Sequence, residues 1–370
     1  MKRVRKRFVR LIPIIFLLVL LLIVVEIVAG WRCTLEGRIP SPEPPSKERQ
    51  AAVSKLNGYS RPEDDAYLSI PEWYIVWSYQ EKADFQEKNL PSGFPYFGAV
   101  RQYWGNYCCI SRLIRGKYEF NAGEQVMLAV IGTSFSAEYI LKGLYENTIG
   151  RVSEWISGHK PTEEDAYAAR VARDYAEFVH VRPFYEYRFA PRVSGLWEET
   201  RFWGEHPLRK WERKAFLTLD YSVEAFYCFL IELATHIGYG YEPDRTFVWL
   251  DNVDGSAIAA IPQVKIAKQV GARAYIVDAP RYQPFTDAAM AFVRSGAHFV
   301  EIAGNSSITI SMLVPESWTG AGLPATRLFS MPVLTHPGMQ RVTLRCDVDS
   351  LARVLTHPPE KASVEHVYDY

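Results

Sequence analysis

Residues 215–238 read AFLTLDYSVEAFYCFLIELATHIG, and how they fold decides how often this chain crosses a membrane. Asp220, Glu224, Glu232 and His236 fall at i, i+4, i+12 and i+16, with Cys228 filling the gap, so the charge lies on one helical face. Phe216, Leu219, Val223, Phe226, Leu230 and Leu233 occupy the other faces. A helix with one wet face and an apolar remainder explains the pattern without placing charge in a bilayer, where a central acid costs about 2.5–3.5 kcal/mol. The expectation is therefore an amphipathic helix with a solvated acidic face, and a three-span protein is the rival.

Residues 126–145, VMLAVIGTSFSAEYILKGLY, pose the same question. Glu138 and Lys142 stand one turn apart, and Gly132 and Ser136 have the spacing that lets helices approach closely. If both segments spanned, the basic cluster Arg209, Lys210, Arg213 and Lys214 would lie on the cytoplasmic side, but Arg112, Arg115 and Lys117 would fall on the wrong one. Under that rival, Glu138, Asp220, Glu224 and His236 are the candidate catalytic residues lining a polar interior. Carboxylates one turn apart can share a proton, and inward packing raises their proton affinity.

The N-terminus is clearer. Residues 11–30, LIPIIFLLVLLLIVVEIVAG, follow Lys2, Arg3, Arg5, Lys6, Arg7 and Arg10, and Glu26 is their only charge. At about 1.5 Å per residue a helix of this length spans roughly 30 Å, the thickness of a hydrocarbon core. The basic flank places the N-terminus in the cytoplasm and Trp31 at the far interface. The run exceeds the h-region of a signal peptide, about 7–15 residues, and the bulky Ile27 spoils a small-x-small cleavage site, so an uncleaved anchor is expected. Glu26, near the end of the run, is expected as a membrane-edge carboxylate.

Charge is balanced at 42 basic and 42 acidic residues, which excludes a global field for nucleic acid. Between residues 174 and 214 arginines alternate with aromatics, but residues 182–214 hold eight basic against five acidic side chains, too small an excess for a nucleic-acid groove. A membrane-facing or packing surface suits the alternation better. His180, with Arg182 and Glu186, is the candidate binding group there. The five cysteines are scattered, odd in number and without CxxC, which argues against a disulfide framework and a zinc site, and makes Cys108-Cys109 two buried thiols. No metal spacing, nucleotide loop or hydrolase elbow is present, and no cofactor is expected.

The remaining organisation follows from punctuation and period. Residues 38–48, RIPSPEPPSKE, form a stiff tether. Ser69 and Glu72 have capping-box spacing ahead of an aromatic helix, and a second helix covers 97–115. From about residue 241 the period shifts toward two. Strands are expected at 247–253, 274–278, 298–303, 308–314, 341–347 and 363–370, with Gly304-Asn305 as a turn and helices from Pro284 and Leu351. That order resembles a ferredoxin-like split βαβ sandwich.

The expected fold is thus α+β. A cytoplasmic basic tail (1–10) and a transmembrane anchor (11–30) precede the tether (31–60), a mainly helical membrane-proximal domain (61–240) and a C-terminal α+β domain (241–370). The expected function is a non-enzymatic bacterial inner-membrane protein, mostly outside the cytoplasm, with the lipid bilayer and an envelope protein as partners. The alternative is an integral membrane enzyme or proton-coupled protein with three spans.

Overall fold

A computed structural model describes residues 17–41, 47–238 and 244–370, the side chains of 47–48 and 235–238 excepted. The basic tail, residues 11–16 of the anchor, 42–46 of the tether and the His236 side chain lie outside the described residues. The protein is α+β, with a helical N-terminal half and two four-stranded antiparallel sheets toward the C-terminus. It divides into two compact units, the first from Met1–Arg32, Pro71–Asn106 and Met127–Tyr241, the second from Cys33–Ile70, Tyr107–Val126 and Glu242–Tyr370.

The helices of the N-terminal half are α1 (residues 17–30), α2 (Lys47–Val53), α3 (Glu63–Gln86), α4 (Tyr96–Ile114), α5 (Ala122–Tyr145), α6 (Arg151–Ile156), α7 (Glu163–Val179), α8 (Ala190–Glu199) and α9 (Pro207–Gly238). Helix α3 starts earlier than the Ser69 signal suggests. Glu63, Asp64 and Asp65 fill its first turn, where negative charge suits the helix dipole, and Ser69 bonds the Ala66 carbonyl inside the helix. Gly132 and Ser136 on α5 do permit close approach: the Tyr103 ring packs where a Gly132 side chain would stand, and Trp104 Nε1 donates to Ser136 Oγ at 3.0 Å. Glu26 is buried and accepts from Arg101 Nε at 2.5 Å, which ties α1 to α4.

No helix among the described residues is long and apolar enough to cross a membrane, α5 and α9 included. Yet α9 is not the expected wet-faced helix either. Its inner face carries Leu217, Tyr221 and Cys228, with Asp220 and Glu224 turned in beside them, while Leu219, Val223 and Phe226 are 65%, 56% and 62% exposed. The expected solvated face is thus corrected: helical periodicity separates two faces but does not say which one meets the protein.

The second unit contains β1 (Arg245–Asp251), α10 (Gly255–Ala259), β2 (Lys265–Gly271), β3 (Ala274–Pro280), α11 (Gln283–Arg294), β4 (His298–Ile302), β5 (Ser307–Pro315), β6 (Thr326–Pro332), β7 (Met339–Asp347), α12 (Leu351–Thr356) and β8 (Ser363–Val367). The strands form two sheets, in the orders β2-β3-β1-β4 and β6-β7-β5-β8, every pair antiparallel. This corrects the ferredoxin-like expectation of one sheet. The turn at Gly304, whose φ of 78° suits glycine and where Ser60 packs too close for a side chain, carries the chain from one sheet to the other instead of closing a hairpin. One core serves both sheets: Val248 and Leu250 of the first belong to the same buried cluster as Ile310, Val342 and Leu344 of the second and Phe285 and Phe292 of α11.

Two further expectations change within this unit. Cys33 and Cys109 form a disulfide across 76 residues, so Cys109 is not a free thiol, although Cys108 is one and is buried. Sequence spacing could not pair them, because the folding of α4 brings Cys109 to the tether. The described part of that tether is docked: the Glu36 and Gly37 amides donate to the Leu328 carbonyl of β6, and Ile39 is buried.

Candidate functional site

The most unusual chemistry lies inside the helical unit, where α5 and α9 face each other with opposed charges. Glu138, Lys142 and Glu146 succeed one another at four-residue intervals along one side of α5 and the turn after it. On α9, Arg213, Asp220 and Glu224 form the facing row. Lys142 Nζ lies 2.7 Å from Glu138, 3.2 Å from Asp220 and 3.1 Å from Glu224. Arg213 Nη1 meets Glu146 at 2.7 Å. Tyr79 of α3 donates to Glu138 at 2.6 Å. Three carboxylates converging on one point suit a cation, and the Lys142 ammonium supplies it. Among the described residues no group of His, Cys, Asp and Glu is arranged to hold a metal ion.

Beside this ladder is a cavity of about 50 Å³, room for a few water molecules, lined by Lys82, Glu138, Lys142, Glu146, Asp220 and Glu224 among others. Lys82 forms no ion pair among the described residues; its ammonium lies 5.8 Å from the centre of the Tyr139 ring. Burial and the neighbouring Lys142 charge push the Lys82 amine below its ordinary range. Burial acts on Lys142 in the same sense, but Asp220, Glu138 and Glu224 overcome it and hold that amine well above the usual value.

The carboxylates separate in the same way. Burial opposes ionisation of Glu138, yet Lys142, Lys82 and the Tyr79 hydrogen bond hold it below the ordinary carboxylate value. Glu224 is raised to about 7, by burial first and by the Glu138 charge second, with Lys142 offsetting part of the effect. Glu146 is raised by burial despite Arg213. Two adjacent acids driven in opposite directions occur at acid–base centres and in structural ion-pair networks alike, and here neighbouring charges and burial do the sorting.

A second network lies behind the ladder. Arg209 is fully buried and bonds Asp165 at 2.9 Å and Glu154 at 3.3 Å, while Lys210 and Lys214 meet buried Glu164 at 2.8 and 3.3 Å. The basic cluster at 209–214 is therefore interior rather than a charge flank at a membrane interface. A buried cation answered by several carboxylates favours one packing arrangement over its neighbours.

Of the candidates chosen from sequence, Glu138, Asp220 and Glu224 are brought together on Lys142. Glu232 is not with them: it accepts both Nη groups of Arg188 at 2.8 and 3.0 Å. His180 lies against the rings of Trp73 and Trp77, centroids 6.3 and 5.2 Å away, with Nδ1 2.7 Å from the Ala176 carbonyl. Arg182 and Glu186 form an ion pair at 3.5 Å one turn apart, with Arg182 exposed and Glu186 partly buried. Sequence reasoning missed Lys82, Glu146 and Arg213. The four-residue spacing of Glu138, Lys142 and Glu146 was the available signal for Glu146. No protein family, no curated protein and no solved structure matches the chain.

Proposed function

We propose that this chain is a membrane-anchored envelope protein, its bulk outside the cytoplasm, whose helical unit rests in the outer face of the bilayer around a proton-accepting centre at Glu224. The observation that carries this reading is the sidedness of α9, with Asp220 and Glu224 turned inward and Leu219, Val223 and Phe226 turned out. Water favours the reverse arrangement, whereas lipid favours apolar side chains outside and paired charges within. Among the large apolar side chains exposed in the described residues, all but Phe120, Val126 and Ile266 belong to the helical unit, α1 included. The single crossing assigned to residues 11–30 is consistent with that distribution. The Cys33–Cys109 disulfide favours an oxidising, extracytoplasmic compartment.

Glu224 would take up and release a proton near neutral pH, with Lys142 held charged beside it. Infrared titration of the full chain in lipid nanodiscs tests this. A protonated-carboxyl band should appear as pH falls through about 7 and should be absent from Glu224→Gln. No such band between about pH 6 and 8 in the wild-type protein would sink the reading.

A second reading assigns the C-terminal unit an envelope protein as partner. It is favoured by β2, which forms one edge of its sheet and can accept an added strand. A photocrosslinker at Gln269 that yields no envelope-protein adduct in cells counts against it.

A further inference from the structure

The cavity beside Lys142 is lined by two groups of charged side chains. In one, Glu224 shares Lys142 with Glu138 and Asp220. In the other, Glu146 is 2% exposed, gives Oε1 to Arg213 and leaves Oε2 without a hydrogen-bond partner. Lys82 also lines the cavity and forms no ion pair among the described residues. A cavity that holds a few waters, lined by the carboxylates Glu138, Glu146, Asp220 and Glu224 and by the ammonium groups of Lys82 and Lys142, supplies the two or more polar partners a buried water needs.

The local backbone serves that arrangement. Residues Glu146–Gly150 form a π-turn directly after α5, a geometry frequent at functional sites. Glu146 Oε2 occupies the space that a side chain at position 150 would fill, so glycine there makes room for the carboxylate. Eight residues separate Glu138, which shares Lys142 with Glu224, from Glu146, about 12 Å along a helix.

We propose that this cavity is a hydrated proton-transfer path joining Glu224 to Glu146, with Lys82 as its positively charged wall. The path rests on the reading of Glu224 as a proton acceptor. In one passage the O–H bond of the Glu224 carboxylic acid breaks, each bridging water accepts one proton and donates another, and an O–H bond forms on the Glu146 carboxylate. Glu224 is left as carboxylate and Glu146 as acid, so charge and atoms balance without a further reactant.

The groups facing the two ends define what the path must work against. Glu224 meets Tyr79 and Lys82 of α3, Glu138 and Lys142 of α5, Tyr175 of α7 and, on its own helix, Asp220, Tyr227 and Cys228. Glu146 meets Tyr96 of α4 and Arg209, Glu212 and Arg213 of α9. Burial raises the proton affinity of both carboxyls, so either holds a proton that an exposed carboxylate would release.

Time-resolved infrared spectroscopy after a pH jump, on the full chain in nanodiscs, tests the path. In Glu146→Gln the Glu224 carboxyl band should decay at least about tenfold more slowly than in wild type, and Glu146→Asp should recover part of the rate. Lys82→Met, which leaves both carboxyls in place, should raise the Glu224 midpoint by roughly half a pH unit or more by removing a cation. An unchanged rate in Glu146→Gln overturns the path while leaving Glu224 as a titrating group. If Glu146→Gln does not fold, a Glu224 band that decays in Lys82→Met at the wild-type rate overturns it equally. Absence of any neutral-range band in wild type is a different failure, that of Glu224 itself.

Discussion

The ammonium of Lys142 on α5 stands 3.1 Å from the carboxylate of Glu224 on α9, and through it two helices with exposed apolar faces share a charged interior. Lys142 also meets Glu138 and Asp220, so its removal leaves three carboxylates confined without an ion-pair partner there. Lys142→Met should lower unfolding stability by about 3–5 kcal/mol, the usual result of breaking a buried pair. Denaturant unfolding in mild detergent measures it, and a loss indistinguishable from that of an exposed lysine such as Lys160 would contradict the buried-hub description.

The pH dependence of stability should run in two directions. The folded Glu224 carboxyl binds its proton more tightly than the unfolded one, with a folded value of about 7 against 4.5. Between those values the native state holds more protons, so stability is highest at the acid end and falls as pH rises toward 7, by on the order of 2 kcal/mol. Glu138 has the opposite sign: its depressed value contributes stability above the ordinary carboxylate range that is lost as pH falls through the folded value. Unfolding midpoints across about pH 5 to 8 should decline in wild type and flatten in Glu224→Gln.

The outward face of α9 should meet hydrocarbon. Fluorophores placed singly at Leu219 and Phe226 of the full chain should be quenched by spin-labelled lipid chains, while one at exposed Glu360 should not. Quenching of the α9 positions by an aqueous nickel chelate instead would place that face in water.

The disulfide supplies a test of compartment and of stability. Thiol counting on denatured protein from cells should find three reactive cysteines, Cys108, Cys228 and Cys346, before reduction and two more after it. Cys33→Ser should cost about 2–5 kcal/mol in the unit that contains it, because the bridge closes a long loop.

Close approach at Gly132 should tolerate nothing larger. Gly132→Ala puts a methyl group into the Tyr103 ring, and the ring is also held by its hydroxyl at 2.6 Å from the Leu128 carbonyl. A loss of about 1–3 kcal/mol is expected from overpacking there. A neutral effect on thermal unfolding would mean that Tyr103 moves aside freely.

Several elements could be read directly from residue order. Residues 97–115 predicted α4 at Tyr96–Ile114, and the alternation of Val342, Leu344 and Cys346 predicted β7, because local pattern marks a helix or a strand with one buried face. Strand β2 escaped notice since KIAKQVG is largely exposed and carries no alternating apolar signal. The grouping into two sheets escaped too: β4 and β5 are adjacent in sequence, but β4 pairs with β1 and β5 with β7 and β8, a choice made by contacts far along the chain.

The same division holds at the site. Sequence alone determined that Asp220 and Glu224 share a helical face with each other and that Glu138 and Lys142 are a turn apart, since 3.6 residues per turn dictates both. It also placed the apolar residues Leu219, Val223 and Phe226 off that face. Only the tertiary structure decided that the acidic face points inward, because the reason lies on other helices: Lys142 offers the cation that makes burial of three carboxylates tolerable, and Lys82 and Glu146 border the same cavity. Periodicity is a property of one helix. Which face is inside depends on what the neighbouring helices bring to meet it.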